Sequence, residues 1–157
     1  MNFSELFRAE DLIVGFDPVD KWEAIRVLLD HMVSAGRLAP EHLEDTLEAV
    51  LSRECSMSTG MEAGVAIPHA AVDNLDDVAA CMGIVSREGG LAFESIDGQP
   101  TRLIVLLIIP RSQKLLHIKT LADVARLLSQ SEVRDAILAA QSADEAHAIL
   151  DRSWAAS

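Results

Sequence analysis

From the N-terminus, apolar positions first close up into a short unbroken run, Leu12-Ile13-Val14-Gly15-Phe16, and then spread out to helical spacing. The run predicts a buried strand over 12–16. Asp17-Pro18 follows, with Asp20 three residues after Asp17. A carboxylate as N-cap, a proline at the first helical position and an acid in the first turn together predict a helix start. Apolar residues at 22, 25, 28, 29, 32 and 33 keep to one face, and Gly36 supplies a stop. Pro40-Glu41 opens a second helix with Leu43, Leu47, Val50 and Leu51 on one side, ending around Ser52-Arg53-Glu54.

The middle of the chain changes period. A Gly-punctuated segment, 56–64, leads into Val65-Ala66-Ile67 as a strand, and 78–86 reads as another. The stretch 96–100, Ile-Asp-Gly-Gln-Pro, predicts a turn: Asp-Gly supplies the positive-φ chemistry and proline stops pairing. The stretch 102–110 is, after Arg102, apolar continuously rather than alternately, which suits a central strand covered on both faces. Helical spacing returns from Ser112 to Ser129, through Leu115, Leu116, Ile118, Leu121, Val124, Leu127 and Leu128. Short helices are expected at 131–140 and 143–152, the last opened by a capping box of Ser142 and Glu145. Helices early, strands clustered in the middle and helices at the end predict an α/β fold, with a mixed parallel and antiparallel sheet flanked by helices.

The chain has 157 residues, half of them apolar, which suits one domain over 1–157 with a substantial core. No stretch reaches eighteen apolar residues, so no membrane insertion is expected. The first residues carry acids early and only a short apolar run, unlike a signal peptide. The net charge of −12 argues against nucleic acid, whose binding depends on Lys and Arg neutralising phosphates. It also disfavours an anionic membrane surface, and suits solubility or a partner with a basic face. Cys55 and Cys81 lack metal-ligand spacing, so no metal is expected, and free thiols in a cytoplasmic protein are.

Candidate chemistry centres on Gly64-Val65-Ala66-Ile67-Pro68-His69-Ala70. Pro68 fixes its own φ, pushes Ile67 towards extended backbone and has no N–H, so pairing should stop there. His69 is then held at a strand end with little freedom, as a nucleophile or general base requires. A histidine merely hydrogen-bonded in a loop fits the same residues. A neutral imidazole has a free lone pair near pH 7 and can attack phosphorus without a separate base. The sequence does not say which nitrogen would react. His117, between Leu116 and Ile118, reads either as a partly buried hydrogen-bonding residue or as a second ring near His69. Arg53 at a helix end reads either as a cation favoured by the last carbonyls or as a forked donor to phosphoryl oxygens. Ser58, Thr59 and Gly60 could line an anion pocket or make a turn. His31, His42 and His147 read as surface or structural, and the acids at 73, 76, 77 and at 44, 45, 48 as solvated. No phosphate-cradling GxxxxGK[ST] loop, dinucleotide fingerprint or GxSxG elbow occurs.

Arg53-Glu54, Ser58-Thr59-Gly60 and Gly64-Val65-Ala66-Ile67-Pro68-His69, in this order, resemble the enzyme IIA domain of the bacterial sugar phosphotransferase system. The branch is the fructose/mannitol type, which includes the nitrogen-regulatory IIA protein. The resemblance continues at Phe93-Glu94-Ser95-Ile96-Asp97-Gly98-Gln99-Pro100, at the apolar run ending in Pro110, and at His117 with Leu121, covering about residues 3–152. It implies a mixed α/β sandwich and a phosphotransferase component without a cofactor. In the family the histidine of the Ala-Ile-Pro-His motif takes a phosphoryl group from the phosphohistidine of the small carrier HPr. It passes the group on, to a cysteine of a IIB domain. Carried over, His69 is the phosphoryl acceptor, with His117 and Arg53 as its active-site companions and Thr59 and Ser58 as phosphate-binding residues. The implied roles are a nitrogen-regulatory relay acting on a target protein, a sugar-transport component, or a binding module that has lost transfer. A single-domain layout favours the first. Glu62-Ala63, Ala70 and Lys119 depart from the family pattern, where many members have glycines at the first two places and a histidine occurs at the last in some.

Overall fold

The structure is a computed structural model that describes residues 3–156. Every residue of the run Leu103–Pro110 is buried, and its side chains divide by parity. Leu103, Val105, Leu107 and Ile109 enter one apolar cluster, and Ile104, Leu106 and Ile108 enter another. Two-residue periodicity sends successive side chains to opposite faces, so an unbroken apolar run is what a strand covered twice demands.

That strand, β5, is the centre of a five-stranded sheet with β1 (Leu12–Phe16), β2 (Val65–Ala66), β3 (His69–Val72) and β4 (Ala79–Val85). On one side β5 pairs antiparallel with β4, which pairs parallel with β1. On the other side β5 pairs parallel with β2 and then with β3. The expected mixed sheet is therefore present. Helices α2 (Lys21–Ser34) and α3 (Leu43–Ser56) cover one face, and α4 (Lys114–Leu128), α5 (Ser131–Ala139) and α6 (Ala143–Ala156) cover the other. A short helix, α1 (Phe3–Leu6), for which the periodicity gave no signal, joins the second group. Among the described residues no helix is long and apolar enough to cross a membrane.

Several boundaries differ from expectation, each for a local reason. The N-cap of α2 is Asp20, whose carboxylate accepts from Glu23 N at 2.8 Å, rather than Asp17. Asp17 is instead paired with Arg87 Nε at 3.0 Å, and Arg87 also donates to the Pro18 carbonyl, so both residues are tied to the loop after β4. Helix α3 begins after a 3-10 turn, Pro40–His42, and runs past Glu54 to Ser56. The capping box of α6 is displaced by one residue: Ser142 Oγ accepts from Glu145 N, but Glu145 reaches the Gln141 N–H. Cys55 is exposed and Cys81 buried, both free.

Pairing does stop at Pro68, as its missing N–H requires, but it resumes at His69. Val65 and Ala66 stand opposite Leu103 and Ile104, and His69 and Ala70 stand opposite Leu107 and Ile108, with the same stagger on both sides of the break. Pro68 itself keeps its carbonyl in the ladder, accepting from Leu107 N at 3.1 Å. The histidine thus opens β3 instead of ending a strand, and register carries through a residue that cannot donate.

Candidate active site at the sheet edge

The outward groups of Ile67 have unusual partners. Its N–H donates to the Thr59 carbonyl at 3.2 Å. Its carbonyl accepts from the ring of His69 at Nδ1, 2.8 Å away. A carbonyl can only accept, so Nδ1 carries the hydrogen and Nε2 keeps its lone pair. The short break at Pro68 places the ring where it can fold back onto the preceding carbonyl.

His117 lies in the first turns of α4, where its backbone N–H closes onto Gln113. Its ring meets that of His69 edge to face, with centroids 5.3 Å apart and planes at 81°. Arg53 lies in the last turn of α3 and donates from Nη1 to the Met57 carbonyl at 3.0 Å. One of its five N–H donors is thereby engaged, which steadies the stem of the fork. The three residues come from the strand edge and from helices on opposite faces of the sheet.

The electrostatics tie them together. Burial holds the His69 imidazole below its ordinary range; Arg53 and His117 push the same way, against the Ile67 carbonyl and Glu54. His117 is also held low, by burial first and by Arg53 second. Both rings are therefore kept neutral at pH values where an exposed imidazole begins to charge. A neutral ring with a free Nε2, beside a second ring and a guanidinium, can attack an electrophilic phosphorus and hold the oxygens it brings.

Ser58 and Thr59 have other partners. The Ser58 hydroxyl donates to the Phe93 carbonyl and accepts from Gly60 N at 3.2 Å. The Thr59 hydroxyl donates to Glu54 Oε2 at 2.6 Å, and its N–H donates to Glu54 Oε1 at 3.0 Å. Both hydroxyl protons are committed inside the protein, so these residues fix the loop that backs the site. Gly60 makes the fixing possible: a Cβ there would stand 2.7 Å from the Phe93 carbonyl oxygen. His31 and His147 approach the carbonyls of Glu10 and Phe7, which is the structural use expected of them.

Glu54 was not among the candidates as a side chain of its own, and neither was Lys21. Glu54 is 3% exposed and Lys21 7%, and they are paired, Nζ to Oε1, at 3.3 Å. The signal was present in the periodicity. Glu54 continues the stripe of Leu47 and Val50, and Lys21 that of Ile25 and Leu28. A charge on the apolar stripe of a helix must find a buried partner.

The sequence model of the family described as "Phosphoenolpyruvate-dependent sugar phosphotransferase system, EIIA 2" matches residues 5–153. The chain belongs to this family, whose members are phosphotransfer components of that system. It is 30% identical over 151 residues to the fructose-specific EIIABC component of Bacillus subtilis, covering 96% of this chain but 23% of that protein's length. It is 29% identical over 150 residues to a nitrogen regulatory protein of Bradyrhizobium diazoefficiens, covering 96% of this chain and 95% of the relative. Among solved structures it is similar to the nitrogen regulatory protein IIA-Ntr of Neisseria meningitidis, with a TM-score of 0.83 and 26% identity over 94% of this chain and 98% of that one. The fold is also that of the mannitol enzyme IIA of Escherichia coli, solved in complex with its phosphorylated IIB, at a TM-score of 0.75 and 22% identity over 92% and 96% of the two chains.

Proposed function

We propose that this chain is a phosphocarrier that accepts a phosphoryl group on Nε2 of His69 from the phosphohistidine of an HPr-type carrier protein. The observation that carries the reading is the hydrogen bond from Nδ1 to the Ile67 carbonyl, which leaves Nε2 as the nucleophile. In the transfer the Nε2 lone pair forms the new P–N bond as the donor's P–N bond breaks, and the donor leaves as a neutral imidazole. Nδ1 keeps its proton throughout, and the Ile67 carbonyl stabilises the positive charge shared over the phosphorylated ring. Arg53 supplies forked N–H donors to the equatorial oxygens, and His117 packs beside them as a second donor. Little covalent work is asked of the protein, because phosphoryl transfer is dominated by placement and charge stabilisation.

The transfer serves a nitrogen-regulatory type of relay in the cytoplasm, in which the phosphate changes binding to a target protein. The correspondence to a nitrogen regulatory protein over nearly the full length of both chains favours this role. A phosphate adds about two negative charges and strong acceptors to one face, enough to switch a docking surface. The fructose-specific relative favours a second reading, in which the group passes to a cysteine of a IIB domain in sugar uptake.

The test is incubation with HPr, its phosphate donor system and this protein, followed by intact mass. Gain of one phosphate, lost in His69→Ala, is the expected result. No gain would identify a binding module without transfer. Adding a candidate IIB then separates the roles: rapid discharge to IIB supports transport, and a stable phosphoprotein supports regulation.

A further inference from the structure

A continuous chain of polar contacts runs from the interior to the reactive ring. Lys21 Nζ lies 3.3 Å from Glu54 Oε1 and over the rings of Trp22 and Phe93, 4.9 and 5.5 Å from their centroids. The Glu54 carboxylate accepts two bonds from Thr59, one from the backbone and one from the hydroxyl. The Thr59 carbonyl accepts from Ile67 N, and the Ile67 carbonyl accepts from His69 Nδ1. At Thr59 and at Ile67 the N–H and the carbonyl lie on adjacent peptide planes joined at one Cα, so each bond restrains the backbone torsions that aim the next.

We infer that Glu54, clamped by Lys21, is a positioning residue that sets the tautomer and orientation of His69 through Thr59 and the backbone of Ile67. It does not touch the phosphoryl group. Its action is to hold the Thr59 carbonyl where Ile67 N–H must meet it, which aims the Ile67 carbonyl at Nδ1. Without that aim, Nδ1 loses its acceptor and the proton redistributes over both nitrogens, removing lone pairs from Nε2. Burial strengthens the tether, because buried polar groups left unpaired are costly; Lys21 alone has a further ionic partner, the exposed Glu94 at 3.8 Å. Lys21 fixes the carboxylate at the far end, which couples the start of α2 to a ring on the opposite side of the sheet edge.

The inference rests on the phosphocarrier reading, and its test has a readout apart from transfer. In a Lys21→Met background, which leaves no unpaired buried cation, Glu54 is changed to Ala and to Gln. Imidazole 15N shifts report the tautomer, circular dichroism the fold, and phosphate uptake from HPr the rate. The wild type should show Nδ1 protonated and Nε2 bare. The Ala variant should show averaged nitrogen shifts and a maximal uptake rate reduced about tenfold, with the KM for HPr unchanged, as misplacement of an attacking group requires. The Gln variant, whose amide oxygen can still accept from Thr59 N, should recover most of both. A folded Ala variant with wild-type nitrogen shifts and rate would overturn the inference. If the Ala variant does not fold, Glu54→Met in the same background keeps the volume while removing both bonds to Thr59, and unchanged nitrogen shifts in it would overturn the inference equally. Wild-type protein that takes no phosphate ends the phosphocarrier reading, while the nitrogen shifts still decide whether Glu54 sets the ring.

Discussion

His69 and His117 stand edge to face, 5.3 Å apart at their centroids, although one opens an edge strand and the other lies in a helix on the face that strand borders. The C–H or N–H edge of one ring against the face of the other is a favoured contact for aromatic systems. Both rings are held below the ordinary imidazole range, by burial first and by the nearby Arg53 guanidinium after it.

The pH dependence follows from that arrangement. Burial, helped by Arg53 and His117, holds His69 below the ordinary imidazole range near 6.5. The folded pKa is depressed, so unfolded chains bind this proton first as pH falls. Stability from this group is therefore complete above about pH 6.5 and is lost as pH drops through the folded value. Phosphate acceptance should hold steady from pH 8 to about 6.5 and decline only below it. In Arg53→Gln, imidazole NMR should show both histidines titrating at higher pH. Unchanged titration would place the guanidinium away from the rings.

Arg53→Gln should also slow phosphate uptake by about 10- to 100-fold, the usual scale for one donor to a developing anion. The fold should persist, because the side chain is only partly buried and its hydrogen bond goes to a neighbouring loop carbonyl. Quench-flow uptake from HPr with circular dichroism separates the two effects. Equal rates in mutant and parent would remove Arg53 from the site.

His117→Ala should impair transfer more than stability, with unfolding free energy changed by about 1 kcal/mol or less, as for a partly exposed side chain. Urea unfolding beside uptake kinetics measures both. A loss of several kcal/mol with normal uptake would return His117 to a purely structural role.

Leu115 and Ile118 flank His117 and are 84% and 67% exposed. Large apolar side chains so exposed next to the neighbour of the proposed acceptor ring suit the docking of a carrier protein. Leu115→Glu and Ile118→Glu should raise the KM for HPr several-fold and leave the maximal rate near that of the parent. A change confined to the maximal rate would count against docking at this turn.

Gly60→Ala should destabilise the protein by about 2 kcal/mol or more, because the added carbon would meet the Phe93 carbonyl oxygen at 2.7 Å and Ser95 Cα at 3.0 Å, neither of which is a yielding side chain. Chemical denaturation checks it. A neutral substitution would show that the loop over 58–60 can slide.

The strand over 103–110 and the long helices were legible because their burial is written in residue type: two covered faces need an unbroken apolar run, and one covered face needs helical spacing. His69, His117 and Arg53 became candidates by their resemblance to family motifs, and the structure brings them near one another. Three things were not legible. The cap of α2 moved from Asp17 to Asp20 because Arg87, seventy residues away in sequence from Asp17, claims the first carboxylate. Strand pairing after Pro68 resumed because a carbonyl can hold a ladder that an absent N–H interrupts. The bonds of Ser58 and Thr59 to Phe93 and Glu54 depend on a loop folding over a helix end, which no local pattern records.

The segment carrying Thr59 and Gly60 lies antiparallel against the outer side of β2, with Gly60 bridged to Ala66. Open strand borders are sticky, and proteins that leave them bare tend to join their neighbours. The strap behind His69 is therefore also a hem on the sheet. Lesions that loosen it should cost solubility at high concentration as well as turnover, and sedimentation of Gly60→Ala protein should reveal self-association that the parent lacks.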